Sequence, residues 1–246
     1  MFMRKILAAG ILMLVVAGIV FALPPQANSA NDKGPLEKIT FIHYKKSFAK
    51  PPWAGGGSGG GTKCYTFLAS GAKWKTPEPY YVNPSNSQGI AQSLIVDSTT
   101  AGVSEWDSEV SATVFGSGSV DSNVSYNNGD LDGNNTLSFD GISEDGVIGV
   151  TTVWGYFSGP PQTRELIEWD MLLDDVDFLW GDATADANKM DVQNIITHEL
   201  GHSAGMGDLY DSLCGEETMY GYSSEGETKK RDLNTGDIAG IQKLYK

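Results

Sequence analysis

The sequence predicts a mixed α/β fold, in which a sheet carries helices packed against it. Short runs rich in β-branched and aromatic residues predict strands at 124–126, 136–139, 147–154 and 165–173. A weaker apolar pattern predicts a helix before them, over 88–106. Two further helices follow the strands, and this order favours a sheet with helices on it.

The first of these later helices, over 191–204, has the strongest helical pattern in the chain. Val192, Ile196 and Leu200 recur at intervals of four residues and therefore lie on one face. Gly205 follows directly, at the position where a glycine commonly ends a helix. We expect a buried helix that stops at this glycine.

The C-terminal helix carries its own start signal. Asn234 can cap it, and Asp237 places a negative charge in the first turn, where the helix dipole favours it. The buried stripe of this helix is predicted to consist of Ile238, Ile241 and Leu244.

Length and charge narrow the classes of function. The chain has 246 residues, enough for one good-sized domain with N-terminal processing sequence. Its formal net charge of −14 argues against binding nucleic acid or an anionic membrane surface, because phosphate groups are neutralised by a basic face. We expect neither of these partners, and we expect a monomer.

The N-terminal segment, residues 1–22, is predicted to be a signal peptide. Arg4 and Lys5 precede an unbroken apolar run over 6–22, and 20–22 has the small-x-small form of a cleavage site. A retained membrane anchor is the alternative, because the run approaches the length that spans a bilayer. The rest of the chain is therefore expected to be secreted, or anchored at the cell surface.

A glycine-rich run at 55–61 predicts the main boundary within the chain, since its composition is typical of a flexible linker. We interpret 23–63 as a leader or pro-segment without a sustained hydrophobic period, and 64–246 as the main domain. Cys64 and Cys214 can form one disulfide in an oxidising compartment. Free thiols and a thiolate metal ligand are the alternatives.

Metal-binding residues are concentrated in the strong helix, which contains His198-Glu199-Leu200-Gly201-His202. Residues four apart share one face of a helix, so the two imidazoles can bind one zinc ion. Glu199 is placed to contact a water on the metal and to act as general base. The alternative is a pair of ordinary surface histidines.

A third zinc ligand is expected just beyond the helix, where the chain can fold back at the glycine. Asp208 has the right spacing to offer a carboxylate to the same ion. The only other histidine, His43, lies on the far side of the glycine run, so the third ligand is a carboxylate, a thiolate or a residue of the leader. The competitors of Asp208 are Asp211, Cys214 and Glu216.

From Trp74 to its C-terminus the chain resembles the matrixin-type metzincins, which are zinc metallopeptidases. The spacing H-E-x-x-H-x-x-G-x-x-D is similar to their zinc motif. Residues 217–220 resemble their Met-turn, 233–245 their C-terminal helix, and 150–154 the strand at the upper rim of their cleft. The resemblance implies a twisted five-stranded mixed sheet with three helices and a zinc cleft between an upper and a lower part.

The resemblance also implies a zinc-dependent endopeptidase that acts on proteins or peptides. Met219 would form the hydrophobic base beneath the metal. Tyr220 and Tyr222 could contact the substrate or transition state, with packing as their alternative role. Calcium is a further cofactor that the family implies, and oxygen ligands cluster at 130–134 and 174–177, where turn chemistry is the alternative explanation.

The chain departs from the family pattern in three respects. Asp208 stands where a third histidine is usual, as in the snapalysin-like metzincins. A second histidine-rich cluster is missing, so a structural zinc is not expected. The inhibitory Pro-Arg-Cys-Gly motif is missing as well. Cys64 is considered as a divergent thiolate plug, but residues 63–65 do not resemble that motif.

Two other functions are kept open. A non-catalytic zinc-binding surface protein would be expected to have lost the general base, yet Glu199 is present. A binding module for small ligands has only the export signal in its favour. Cleavage of casein or gelatin that a chelator abolishes would separate the endopeptidase from both.

Overall fold

A computed structural model describes residues 33–48 and 63–246 of the chain. Its strands are β1 (Leu36–Lys45), β2 (Tyr80–Val82), β3 (Gly118–Val120), β4 (Asn135–Asp140), β5 (Val147–Tyr156), β6 (Glu165–Asp174), β7 (Trp180–Gly181), β8 (Met190–Asp191) and β9 (Tyr222–Ser223). Its α-helices are α1 (Gln92–Ser108), α2 (Val192–Ser203) and α3 (Thr235–Leu244).

Seven of these strands form one mixed sheet in the order β3-β2-β4-β6-β5-β1-β9. Strand β2 is parallel to β3 and β4, and β4 is parallel to β6, whereas β5 is antiparallel to both of its neighbours. The mixed α/β class and the three predicted helices are confirmed. The seven-stranded sheet has two strands more than expected, because β1 and β9 extend it beyond β5.

Helix α2 forms where the sequence predicts it. The carboxylate of Asp191 accepts the N–H of Asn194 and caps the first turn. Ile196 and Leu200 are fully buried on the core side. The helix ends two residues before Gly205, whose φ of +100° lies in the left-handed region that favours glycine.

The other two helices differ in how closely they follow the prediction. Helix α3 begins at the predicted cap, where Asn234 and Asp237 form a capping box. Helix α1 begins at Gln92, later than predicted. The side-chain oxygen of Asn86 accepts the N–H groups of Gln88 and Ile90, which holds that segment in a turn.

The strand predicted at 124–126 was wrong. The carbonyl of Val124 accepts the side-chain N–H of Asn83, and the N–H of Tyr126 donates to the hydroxyl of Ser138. Side chains therefore satisfy backbone groups that a neighbouring strand would otherwise bind, and the segment has no strand partner in the described chain.

Strand β1 is a second difference, since the segment after residue 23 was expected to lack a regular element. Its residues pair with β5 from Leu36, opposite Tyr156, to Tyr44, opposite Val147. The run Ile39-Thr40-Phe41 alternates between more buried and exposed positions, a two-residue period that the prediction overlooked.

The core lies between the sheet and the helices. Trp106 of α1 donates its indole N–H to the carbonyl of Thr197 in α2, at 2.8 Å, and Trp74 donates its own to Ser203 at 2.8 Å. These two bonds fasten α2 on both sides. Further side chains that are almost fully buried are Ile95, Leu137, Ile148, Val153, Leu166, Trp169, Met171, Leu173, Ile195 and Met206.

Cys64 and Cys214 are joined in a disulfide across a sequence separation of 150 residues. Neither sulfur is a free thiolate, so the structure offers neither the thiolate plug at Cys64 nor a thiolate ligand at Cys214. The bond fastens the start of the main domain to the segment that follows the metal-binding motif.

Replacing both cysteines with serine is expected to lower the free energy of unfolding by about 2–5 kcal/mol, because a cross-link that closes a long loop restricts the unfolded chain. Denaturant titration of the double variant and of the parent, with and without reductant, measures this. The oxidised parent alone should keep the higher midpoint, and equal midpoints for all samples would contradict the prediction.

No helix within 33–48 or 63–246 is long and apolar enough to cross a membrane. The predicted signal peptide at 1–22 and the glycine run at 55–61 lie outside the described residues, and both stay predictions.

Candidate metal centre

Helix α2 carries His198 and His202 one turn apart, with both side chains buried. Their rings meet edge to face, with centroids 4.9 Å apart. Because the opposite face of α2 packs in the core and Asp191 caps its first turn, the two rings are held by a rigid element.

The turn after α2 brings Asp208 back to the two histidines. The Oδ1 atom of Asp208 lies 3.4 Å from Nε2 of His198 and 3.4 Å from Nε2 of His202. A side chain at Gly205 would place its Cβ 2.8 Å from the carbonyl oxygen of Ala72, so this turn needs a glycine for space as well as for φ. Three side chains that the sequence singled out therefore meet at one point.

The second nitrogen of each ring is bound to a backbone carbonyl. Nδ1 of His198 lies 2.6 Å from the carbonyl oxygen of Thr218, and Nδ1 of His202 lies 3.1 Å from that of Met206. A carbonyl only accepts, so each Nδ1 carries the hydrogen and donates it. Each Nε2 is left with a lone pair that points towards Asp208, the arrangement that metal-binding histidines use.

Two of the polar atoms where these side chains meet lack hydrogen-bond partners in the described part of the chain. Nε2 of His198 and Oδ1 of Asp208 are buried without a hydrogen-bond partner among the described residues. Donors of a tetrahedral zinc, with bonds of about 2.0–2.1 Å, lie roughly 3.3–3.5 Å apart. The separations of 3.4 Å and the donor set of two imidazoles and a carboxylate therefore fit zinc.

Two of the three side chains have the protonation state that a metal needs. Burial lowers the pKa of His198 to about 4, so its ring is neutral near pH 7. Burial alone would raise the pKa of Asp208, but the neighbouring imidazoles outweigh it and hold that pKa below its usual range. A neutral imidazole and an ionised carboxylate are both competent ligands. For His202, burial alone would lower the pKa, but the neighbouring Asp208 carboxylate outweighs it and raises that pKa.

Glu199 lies beside this centre and is fully buried. Its Oε2 accepts the hydroxyl of Thr151 at 2.6 Å, and its Oε1 lies 3.0 Å from Nδ1 of His43. Burial raises the pKa of its carboxyl to about 7. Strand β5 therefore orients one oxygen of Glu199, and β1 contacts the other.

Met219 packs beneath α2 and is fully buried. A Cβ at Gly201 would lie 2.2 Å from the Met219 sulfur and 2.6 Å from the ring of Trp106. The glycine inside the zinc motif is therefore required for α2 to approach this methionine. The role of Met219 as the hydrophobic base beneath the metal stays a prediction.

Asp237 of α3 positions the segment under His198. Its carboxylate accepts the N–H of Thr218 at 2.6 Å and that of Met219 at 3.1 Å. The carbonyl of the same Thr218 residue accepts the Nδ1 hydrogen of His198. Asp237 therefore fixes the position of the backbone carbonyl that binds the imidazole ring of His198.

Replacing Asp237 with asparagine is expected to destabilise the protein by about 1–3 kcal/mol, because one oxygen that accepts backbone N–H groups is lost. Zinc affinity should fall by about 10–100-fold, the usual effect of removing an outer partner of a ligand. Competition with a zinc chelator measures the affinity. Asp232→Asn, an exposed carboxylate in the preceding loop, is the control and should change neither quantity.

The tyrosines form a cluster beside Asp208. Tyr222 packs against Tyr210 with centroids 5.3 Å apart and against Tyr220 with centroids 5.8 Å apart. The hydroxyl of Tyr210 donates to Oδ2 of Asp208 at 3.1 Å. Roles of Tyr220 and Tyr222 in substrate contact stay predictions.

Sequence reasoning missed several residues of this centre. The ring of Phe41 stacks on His202, with centroids 3.8 Å apart and planes 8° from parallel. The ring of His43 is tilted by 41° against that of His198, with centroids 4.0 Å apart. Nζ of buried Lys230 lies 3.3 Å from Nε2 of His43. The alternation within β1 was the only signal for the first two, and nothing near Lys230 marked it in the sequence.

The described residues contain two groups of three metal-ligating side chains whose donor atoms lie within 4.8 Å of one another. One is His198, His202 and Asp208; the other is His43, His198 and Glu199. The first is the better zinc site, because its free donor atoms are the two Nε2 lone pairs and an ionised oxygen.

Two of the five carboxylates at 130–134 and 174–177 bind their own loops. Asp132 accepts the N–H of Asn134, and Asp174 accepts those of Val176 and Asp177. Turn chemistry explains these bonds, as the alternative interpretation expected.

Calcium binding therefore stays a prediction. Calcium at about 100 times its Kd would stabilise the protein by about 2.7 kcal/mol and raise the Tm by roughly 5–10 °C. Thermal melts with and without calcium measure this, with magnesium as the control cation. Superimposable curves in calcium and in chelator would contradict calcium binding.

Comparison with protein families gives a match over most of the chain. The family model Peptidase_M10, described as Matrixin, matches residues 75–246, which include α2, the turn to Asp208, Met219 and α3. A search of curated protein sequences found no match.

Proposed function

We propose, on the premise that this chain belongs to the matrixin family of zinc-dependent endopeptidases, that His198, His202 and Asp208 hold its zinc and that Glu199 is the general base. Membership of this family implies that the chain binds zinc and that its substrates are proteins or peptides. The observation that supports this ligand set most strongly is the meeting of the two Nε2 atoms with an unpartnered buried carboxylate oxygen, 3.4 Å from each.

Zinc, Glu199 and Thr151 have different roles in the proposed hydrolysis. The chemistry that zinc supplies in such a site is Lewis acidity, which makes water acidic near neutral pH and polarises a peptide carbonyl. Glu199 takes the proton of the attacking water and delivers it to the leaving amine. The hydroxyl of Thr151, 2.6 Å from Oε2, keeps that carboxylate in one orientation.

We further propose that the protein acts outside the cytoplasm as a monomer. The apolar run after Arg4 and Lys5 supports export, and the net charge of −14 supports a partner other than nucleic acid.

Zinc-dependent cleavage tests the proposed function. Zinc-loaded full-length chain is incubated with casein, both intact and after a site-specific cut within 55–61, because β1 contacts Glu199 in the intact protein. Cleavage should appear, stop on addition of a chelator and return with added zinc. A folded chain that binds one zinc yet cleaves no casein or gelatin in either form would favour the non-catalytic zinc-binding protein instead.

A further inference from the structure

Tyr210 lies beside the third proposed metal ligand, two residues further along the chain. Its hydroxyl donates to Oδ2 of Asp208 at 3.1 Å. The other oxygen of that carboxylate, Oδ1, lies 3.4 Å from Nε2 of His198 and 3.4 Å from Nε2 of His202. The two oxygens of Asp208 therefore have different surroundings, because one faces a phenol and the other faces the imidazoles.

This difference matters for a metal ligand. A carboxylate can bind a metal ion through one oxygen or through both. A zinc ion in a catalytic site has three protein donors and one position that stays open for water or substrate. If Oδ2 of Asp208 bound the ion together with Oδ1, it would take up that open position. A hydroxyl that holds Oδ2 leaves the carboxylate with a single donor for the ion.

The backbone between the carboxylate and the phenol is itself held in place. Leu209 donates its N–H to the carbonyl of Met219 at 2.8 Å, and its own carbonyl accepts the N–H of Gly221 at 2.8 Å. These two bonds form a parallel bridge between Leu209 and Tyr220. The segment that carries the third ligand is thus fastened to the segment that follows the predicted Met-turn methionine.

The ring of Tyr210 packs against Gly221. A Cβ at Gly221 would lie 2.5 Å from Cε1 of Tyr210, 2.8 Å from its Cζ and 3.1 Å from its hydroxyl oxygen. The φ of this glycine is not positive, so the position needs a glycine for space and not for its backbone angle. Tyr222 contacts the same ring, with centroids 5.3 Å apart. These two neighbours limit where the phenol can point.

Little solvent reaches the bond between Tyr210 and Asp208. The side chain of Asp208 is only 11% exposed. A hydrogen bond to an ionised oxygen is roughly twice as strong as one between neutral groups, and a buried oxygen that loses its donor is left poorly solvated. The hydroxyl of Tyr210 is therefore placed to decide how the carboxylate is oriented.

We propose that Tyr210 is a positioning residue for the third ligand: its hydroxyl holds Oδ2 of Asp208, so that Oδ1 alone is offered to a metal ion between the two imidazoles. This role rests on the proposed function, which identifies the metal and its ligands. Tyr210 touches neither the ion nor the substrate and acts through Asp208. Gly221 belongs to the same arrangement, because a residue without a side chain leaves room for the phenol ring.

Tyr210→Phe tests this role, because it removes the hydroxyl and keeps the ring. Competition with a zinc chelator on the full chain should give a Kd for zinc about 10–100-fold higher than that of the parent, the usual effect of removing an outer partner of a ligand. Tyr81→Phe, the same change at a partly buried position of β2, is the control and should keep the parental Kd. Both variants should keep the circular dichroism spectrum of the parent.

Cobalt provides a readout that a merely structural role would not change. A Co²⁺ ion bound in place of zinc absorbs visible light strongly when four donors surround it and weakly when more donors bind. In Tyr210→Phe, Oδ2 of Asp208 is released to bind the ion as well, so the visible absorption per bound cobalt should fall. The spectrum of Tyr81→Phe should match that of the parent.

Gly221→Ala reaches the same bond from the other side of the ring. The added methyl group should displace the phenol and weaken zinc binding in the same direction as Tyr210→Phe does. The double variant should lose less than the sum of the two single losses in binding free energy, because the hydroxyl is then already gone. Additive losses would overturn the place of Gly221 in this arrangement.

The outcomes separate this role from the proposed function. A parental zinc Kd in Tyr210→Phe would overturn the role of Tyr210. A weaker affinity with an unchanged cobalt spectrum would overturn it too, because the loss would then come from the stability of the turn and not from how the ion is bound. Both of these results leave the ligand set intact. A parent that binds no zinc, or equal zinc binding by the parent and Asp208→Ala, would contradict the ligand set itself and this role with it.

Discussion

Glu199→Gln is expected to lower the rate of peptide hydrolysis by about 10²–10⁴-fold, the contribution of a positioned general base. Glutamine keeps the shape of the side chain and can still bond the hydroxyl of Thr151, but it cannot take a proton from water. Zinc content and Tm should stay close to those of the parent. Steady-state hydrolysis of a fluorogenic peptide by the chain cut within 55–61 measures the loss.

Glu78→Gln provides the control for this substitution. Glu78 is exposed in the segment before β2, so the same chemical change there should leave the rate unchanged. If Glu199→Gln hydrolyses the peptide at near the parental rate while its zinc content is intact, Glu199 is not the base.

Asp208→Ala is expected to lower zinc affinity by more than the roughly 10–100-fold that follows the loss of an outer partner, because it removes a direct ligand. The two imidazoles alone would leave the ion with too few protein donors for a stable site. Hydrolysis should disappear with the zinc. Titration against a chromogenic chelator, followed by metal analysis after dialysis, measures both occupancy and affinity.

The control for this substitution is Asp211→Asn. Asp211 was a competitor for the third ligand, and its carboxylate accepts the N–H of Leu213 at 3.0 Å. Zinc binding by this variant should be unchanged. A large loss of zinc in Asp211→Asn, together with full occupancy in Asp208→Ala, would reassign the third ligand.

Short-range features of the fold were the easiest to predict. Helix α2 and its two histidines depend on spacing within one helix, and the stop at Gly205 depends on one backbone angle. The approach of Asp208 follows from the same turn. Helical spacing and one turn are therefore enough to predict that the three proposed ligands meet. The capping box at Asn234 is likewise set by residues close together in the sequence.

Long-range pairing accounts for what sequence reasoning missed. Strand β1 depends on a match to β5 more than a hundred residues away, and only that pairing carries Phe41 and His43 to α2. Lys230 enters the centre from a loop near the C-terminus, where burial of a lysine has no local signature. Such residues are found only once the strand register is known.

Anomalous diffraction at the zinc absorption edge, on crystals of the zinc-loaded protein, is the most direct test of the central claim. If these three side chains hold the zinc, the map will show one strong peak about 2.0–2.2 Å from Nε2 of His198, from Nε2 of His202 and from a carboxylate oxygen of Asp208. A zinc peak with Asp208 outside bonding distance, or no peak between the two rings, would contradict it.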